Sequence, residues 1–332
     1  MLNTTSASSL GRELYHAIWK LVAENFFDTS RLSDWASWEH RFDDQIVDEE
    51  SALHFADEML ESLKDEFTRR QLPPIAQTAT VDAAPSTTAA PAVTEEDQPV
   101  TAVLSPSKIG YIRIDTFDRD DIVELVEAGV AKLKGCEGVI LDLRNNVGGG
   151  VEKALECCTH FLVDGLLATL KFREDGGLRV REYLLNGTQF FWKDVFPNGS
   201  EKTNLLTRHA PSLAMKPIVV LMNRRTMSAA EVMIVTVVQN GFPGLVTMVG
   251  SSPTPGKGIG QVDFEVLDGK YKIRITVCHW FAPGGEWLGD FGQTASNGID
   301  PDTLVPNDRG PEALEVAAKE LRKMLGRPEP AE

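Results

Sequence analysis

Three short segments of this chain carry residues able to do chemistry at points where a strand should hand over to a helix or turn. They are Leu141-Asp142-Leu143-Arg144-Asn145-Asn146-Val147-Gly148-Gly149-Gly150, the stretch NRRTMSAAE from Asn223 to Glu231, and GSSPTPGKGIGQ from Gly250 to Gln261. Open α/β folds gather their reacting groups at such junctions. In the first segment, bare glycine backbone lets N–H groups approach and stabilise a developing oxyanion. The plain alternative is a tight turn that needs positive φ. The G-x-G-x-x-G spacing of a dinucleotide loop is absent.

In the second segment, Ser228 stands at the expected start of a helix, where the backbone supplies partial positive charge. The small neighbours Ala229 and Ala230 leave room for a carbonyl group. Ser228-x-x-Glu231 also reads as a capping box, an ordinary way to begin a helix. In the third, Lys257 lies between two glycines at the start of a strand. It is a candidate base or a solvated turn residue; a phosphate loop is excluded because Gly258 stands where Ser or Thr is required.

A serine nucleophile needs a base. His16, His40 and His54 fall in an N-terminal helical region, His160 on a helix, His209 in a loop and His279 at a strand end. None is an evident partner, and no G-x-S-x-G elbow exists. Lys257 fits the role if it is neutral, a state that burial beneath a substrate favours.

The elements that must position these residues are strands alternating with helices. Apolar runs predict strands at Ile109–Ile114, Val139–Leu143, Ile218–Met222, Val246–Val249, Val262–Val266 and Tyr271–Val277, the last two forming a hairpin around Asp268-Gly269. Helical patterns fall at Asp120–Leu133, Val151–Leu162, Ala229–Gln239 and Pro311–Leu325. The fold class is α/β, the catalytic part occupying 106–332. Ahead of it, 1–73 reads as helices, with Leu14, Ile18 and Val22 on one face, and 74–105 as a flexible Ala/Thr/Pro linker. Trp19, Phe26, Phe27, Trp35, Trp38, Phe42 and Phe55 exceed what a small helical unit needs for its core. That surplus predicts self-association through the N-terminal helices.

Lys plus Arg number 33 against 49 for Asp plus Glu, a net charge of −16, which disfavours nucleic acid and anionic lipid surfaces. Apolar runs such as Val232–Val238 are too short to span a bilayer. The N-terminus does not read as a signal peptide, so the expected compartment is the cytoplasm, or outside it if a leader has been removed. The four cysteines show no metal-ligand spacing and are expected as buried free thiols, with no metal or cofactor implied.

GVILDLRNNVGGG, TMSAAE and GKGIGQ, in that order, resemble the C-terminal (tail-specific) processing peptidase family of serine proteases. IGYIRIDTF resembles the family's first catalytic strand and GIDPDTLVP its closing motif. The resemblance implies a ClpP/crotonase-like fold with an N-terminal helical segment, and polypeptide substrates added as an extra strand. It assigns Ser228 as nucleophile, Lys257 as general base, and Glu231 and Gln261 as orienting groups. The amides of Ala229 and of Gly148 or Gly149 become the oxyanion hole. Such proteins usually carry a PDZ domain before the first catalytic strand, and the stretch between Thr68 and Ile109 is too short for one. Residues 172–213 are an elaboration read as a lid or substrate wall. The competing reading is a binding module that keeps the fold and holds peptides or an apolar ligand without cutting.

Overall fold

The computed structural model describes residues 2–71, 98–307 and 311–327. In chain order, the first elements are α1 (Leu2–Asn25), α2 (Glu49–Glu61), β1 (Arg69–Gln71), β2 (Val100–Leu104), β3 (Ile109–Ile114), α3 (Ile122–Lys132), β4 (Gly138–Asp142) and α4 (Val151–Cys158). There follow β5 (Gly165–Glu174), β6 (Gly177–Asn186), β7 (Gln189–Val195), β8 (Glu201–Leu206), β9 (Ile218–Met222) and α5 (Ala229–Asn240). The last are β10 (Val246–Gly250), β11 (Ile259–Val266), β12 (Tyr271–Phe281), β13 (Thr303–Leu304) and α6 (Pro311–Met324). They form two compact units, residues 1–92 with 260–278 and residues 93–259 with 279–332.

In the first unit, Leu14, Ile18 and Val22 line the buried face of α1, at the spacing that brings them onto one stripe. Asp48 and Ser51 close a capping box on α2, with Ser51 N donating to Asp48 Oδ1 at 2.8 Å and Asp48 N to Ser51 Oγ at 3.1 Å. Two short 3-10 turns, Thr29–Leu32 and Trp35–Trp38, connect the helices. Phe26, Trp35, Trp38 and Phe42 are buried in this unit's own core, with Trp19 and Phe55 packed against them. The core also takes in Val266, Ile273 and Ile275 from the β11–β12 hairpin, and β1 pairs antiparallel with β12. Six of the seven aromatics named above, all but Phe27, therefore lie in or against this core, which the hairpin enlarges beyond the helices alone.

In the second unit, six strands run in the order β13-β10-β9-β4-β3-β2, parallel except for the β2–β3 pair. Strand β3 alternates its side chains between two helices, as a period of two requires. Ile109 joins the cluster formed with Ala313, Ala317 and Leu321 of α6, while Gly110 meets Leu133 and Ile112 meets Gly129 of α3. Strands β4 and β9 are buried throughout, as strands covered on both faces must be. Strand β2 falls inside the segment read as linker; residues 74–97 of that segment lie outside the described residues. Residues 172–213 contribute much of an antiparallel run, β5-β6-β7-β8. Its central acid, Asp194, is buried and bound by Arg179 and by both nitrogens of an Arg181 fork.

Candidate active site

Strands β4, β9 and β10 are parallel neighbours, with Asp142 opposite Leu221 and Met222 opposite Gly250. Their C-terminal ends therefore lie side by side, and the three loops singled out in the sequence emerge together there. Chain order alone keeps these loops far apart; the register of the sheet makes them adjacent.

The turn between β9 and α5 holds Ser228 at φ 56° and ψ −123°, a region that a residue with a Cβ rarely occupies. Such strain costs about 1–3 kcal/mol and persists only where neighbours over-determine it. Three neighbours do so. Glu231 Oε2 accepts from Ser228 N at 2.8 Å, and Met227 N donates to the Asn146 carbonyl at 3.0 Å. Gly148, at φ +96°, is pressed against the serine: a Cβ built on it would sit 2.8 Å from Ser228 Cβ and 3.0 Å from Ala229 N. Only glycine fits there.

The Gly148 and Gly149 amides have different partners. Gly148 N donates to Asn146 Oδ1 at 2.9 Å, so it is already engaged. Gly149 forms a parallel bridge with Phe117 that uses the Gly148 carbonyl (2.8 Å) and the Gly150 amide (3.0 Å). The Gly149 N–H takes no part in that bridge, and the residue is exposed.

Lys257 is half-buried at the end of the loop that follows β10. Its amide donates to Glu231 Oε2 at 2.9 Å, the oxygen that also binds Ser228 N, while Gly256 N donates to Oε1 at 2.8 Å. Glu231 is 0% exposed. Burial pushes its carboxyl above the usual range, opposed by the Thr254 hydroxyl and by the amides of Lys257, Ser228 and Gly256. Two indoles bind the backbone at the lysine. Trp280 Nε1 donates to the Lys257 carbonyl at 2.9 Å and Trp287 Nε1 to the Gly258 carbonyl at 2.8 Å.

The sequence profile of peptidase family S41 matches residues 108–305. The chain belongs to peptidase family S41. Carboxy-terminal processing protease CtpA of Bacillus subtilis is 31% identical over 194 residues, 57% of this chain and 35% of that protein. A carboxyl-terminal-processing protease of Synechocystis is 30% identical over 190 residues, 56% of this chain and 37% of its own. The chain thus spans about a third of the length of these curated relatives. Among solved structures, the photosystem II D1 C-terminal processing protease superposes with TM-score 0.63 at 18% identity, covering 94% of this chain and 97% of that one. A lipoprotein from Streptococcus agalactiae gives TM-score 0.62 at 16% identity, covering 94% and 96%. Likeness at that identity establishes the S41 peptidase fold and nothing finer.

All three loops lie within the S41 match, which also reaches Gln261. Ser228, Glu231, Lys257, Gly148, Gly149 and Ala229 belong to the second unit, and the contacts above tie them together. Gln261 belongs to the hairpin of the first unit, where its Nε2 donates to Thr276 Oγ1 at 3.3 Å. Sequence reasoning missed Asn146, Asn223 and Thr226, which join the first two loops. Asn223 Oδ1 accepts from Asn145 N at 3.1 Å, and Thr226 Oγ1 donates to the Leu143 carbonyl at 2.8 Å. The Asn-x-x-Thr spacing after a strand was the available signal. Trp280 and Trp287 had none. The cysteines are buried free thiols, as expected. His209 is bound to Glu156 at 3.0 Å and His279 stacks on Trp287 at 4.5 Å.

Proposed function

We propose that this chain is a serine endopeptidase that cuts extended polypeptides through a Ser228–Lys257 dyad. The observation that carries the reading is Glu231 Oε2, which accepts the backbone amides of both residues and so holds a strained serine and a lysine in one frame. Family S41 membership supports the class of reaction. A serine held at positive φ, beside a glycine with no room for a Cβ, suits a nucleophile presented at a strand-to-helix turn.

In the proposed reaction, neutral Lys257 takes the Ser228 proton as Oγ attacks the peptide carbonyl, giving a tetrahedral oxyanion. The Gly149 and Ala229 amides hold that charge, Gly148 being engaged by Asn146. The lysine then delivers its proton to the leaving amine. Water enters, gives its proton to Lys257, and adds to the acyl-enzyme; that proton returns to Ser228 as the new carboxyl group departs. Gln261 is retained as a candidate orienting residue from the resemblance alone. Substrates are extended segments, because strand addition satisfies the peptide backbone with little demand on sequence.

Incubation with unstructured casein, wild type beside Ser228→Ala, tests the reading. Fragmentation by wild type alone supports it. Binding of casein without cleavage by both proteins would establish the peptide-binding module instead.

A further inference from the structure

Two histidines and an aspartate that the dyad does not use come together in the first unit. His16 belongs to α1, while His40 and Asp43 lie in the turns after Trp35–Trp38. Each carboxylate oxygen of Asp43 faces one ring: Oδ1 lies 2.7 Å from His16 Nε2 and Oδ2 lies 2.9 Å from His40 Nδ1. The rings stand edge to face with centroids 5.0 Å apart. One donor atom from each of the three residues lies within 4.8 Å of the others.

We propose that His16, His40 and Asp43 form a binding site for a divalent transition-metal ion of the zinc class. Two imidazole nitrogens and a carboxylate are the borderline donors such ions select, and they leave positions for water or a fourth ligand. Calcium and magnesium are disfavoured because they ask for sets of oxygen atoms. Zinc–nitrogen bonds of about 2.0–2.1 Å place tetrahedral ligand atoms roughly 3.4 Å apart. The His40 side chain is 68% exposed and can rotate to close that gap, while His16 and Asp43, at 33% and 27%, are better held. Glu39 Oε1 stands 3.9 Å from His40 Nε2, the ring nitrogen that a metal-bound histidine presents to an outer carboxylate. Arg41 is the neighbouring cation, and its guanidinium is stacked 4.3 Å over the Trp38 ring. The ion would join α1 to a segment 27 residues further on, bracing the first unit. That separation carries no ligand motif, which is why the sequence does not disclose the site.

The test is calorimetric titration of the full chain, free of any polyhistidine tag, with zinc chloride, beside His40→Ala and Asp43→Asn. One ion should bind wild type, and each substitution should weaken it by about tenfold or more, since even outer-sphere losses cost that much. Cobalt(II) should give the visible absorption of a site with nitrogen ligands, absent from both variants. Zinc should raise the wild-type Tm, an effect that chelation reverses. His40→Ala removes an exposed side chain, so its unfolding curve in chelator should match wild type, while Asp43→Asn, which loses a carboxylate bonded to two rings, is read against its own curve in chelator. His54→Ala, an exposed histidine outside the cluster, should bind as wild type does. No zinc binding by wild type, or equal binding by both cluster variants, would overturn the site.

Discussion

The backbone amides of Ser228 and Lys257 donate to the same atom, Oε2 of Glu231, at 2.8 and 2.9 Å. The two nitrogens can therefore be no further apart than the sum of those bonds. Residues from the α5 start and from the β10–β11 loop are locked to one carboxylate that solvent does not reach. A glutamine could not replace it. Its amide group would present N–H to backbone N–H, leaving a buried donor unsatisfied at a cost of about 1–3 kcal/mol.

Asn146 plays a comparable part for the glycine loop. It is fully buried, donates from Nδ2 to the Ile114 carbonyl at 3.0 Å, and accepts from Gly148 N at 2.9 Å. Asn146→Ala leaves both groups unpaired, so stability should fall by about 2–4 kcal/mol. Because the glycine loop loses its anchor beside Ser228, kcat should drop by about tenfold or more with a smaller change in KM. Asn146→Asp keeps an acceptor for Gly148 but sets a buried carboxylate oxygen against the Ile114 carbonyl, so kcat should fall less than in the alanine variant while stability falls at least as far. Urea unfolding together with steady-state kinetics would show it, and an unchanged kcat in the alanine variant would contradict the positioning role.

Much of this was legible in the sequence. The β9 boundaries coincide with an apolar run, because a strand covered on both faces must be apolar along its whole length, while β3 was legible from its isoleucines and tyrosine although Arg113 interrupts them. Ser228, Glu231 and Lys257 stood out because small and polar residues interrupt such runs at strand ends. Strand β8, by contrast, reads Glu201-Lys202-Thr203-Asn204 and is exposed, so no hydrophobic period reveals it. The choice of Gly149 over Gly148 depends on an Asn146 hydrogen bond that no spacing encodes. The hairpin β11–β12 was readable from Asp268-Gly269, where φ is positive from Leu267 to Gly269. That it completes the core of the N-terminal unit was not, since the contact spans about two hundred residues of chain.

Acid should destabilise the protein through His160. It is buried, 4.7 Å from the His209 ring centroid, and burial first, then the His209 charge, lowers its pKa to about 4. The unfolded chain, with histidine near 6.5, takes up the proton first as pH falls. The stability contribution is therefore complete above about pH 6.5 and is lost toward pH 4, amounting to about 3 kcal/mol. Glu231, whose carboxyl is raised, acts in the opposite sense, so the useful quantity is a difference between proteins. Comparing wild type with His160→Phe by urea unfolding at pH 7 and pH 4.5 should give a smaller acid loss in the variant. Equal losses would refute the assignment.

Cleavage should not depend on a free C-terminal carboxylate. Strands β1 and β2 are separated by residues 72–99, too few for a carboxylate-capturing domain. The cations of the β6–β7 pair that could have replaced it are already paired: Arg179 and Arg181 with Asp194, and Lys193 with Glu201 at 2.7 Å. Two identical unstructured peptides, one free and one amidated, should give nearly equal kcat/KM. A preference for the free acid of about tenfold, or about 1.4 kcal/mol, would show that carboxylate recognition resides elsewhere in the chain.

The dyad itself is tested most directly by the hydrolysis rate of an unstructured fluorogenic protein. Wild type should be compared with Ser228→Ala, Lys257→Ala, the double variant and His279→Ala, each verified as folded. Nucleophile and base act as a unit, so the first three variants should fall to the same residual rate, the double no lower than either single. His279→Ala should stay far above them. Lys257→Ala retaining more than about a tenth of wild-type activity, with His279→Ala reduced to the Ser228→Ala level, would contradict the lysine base.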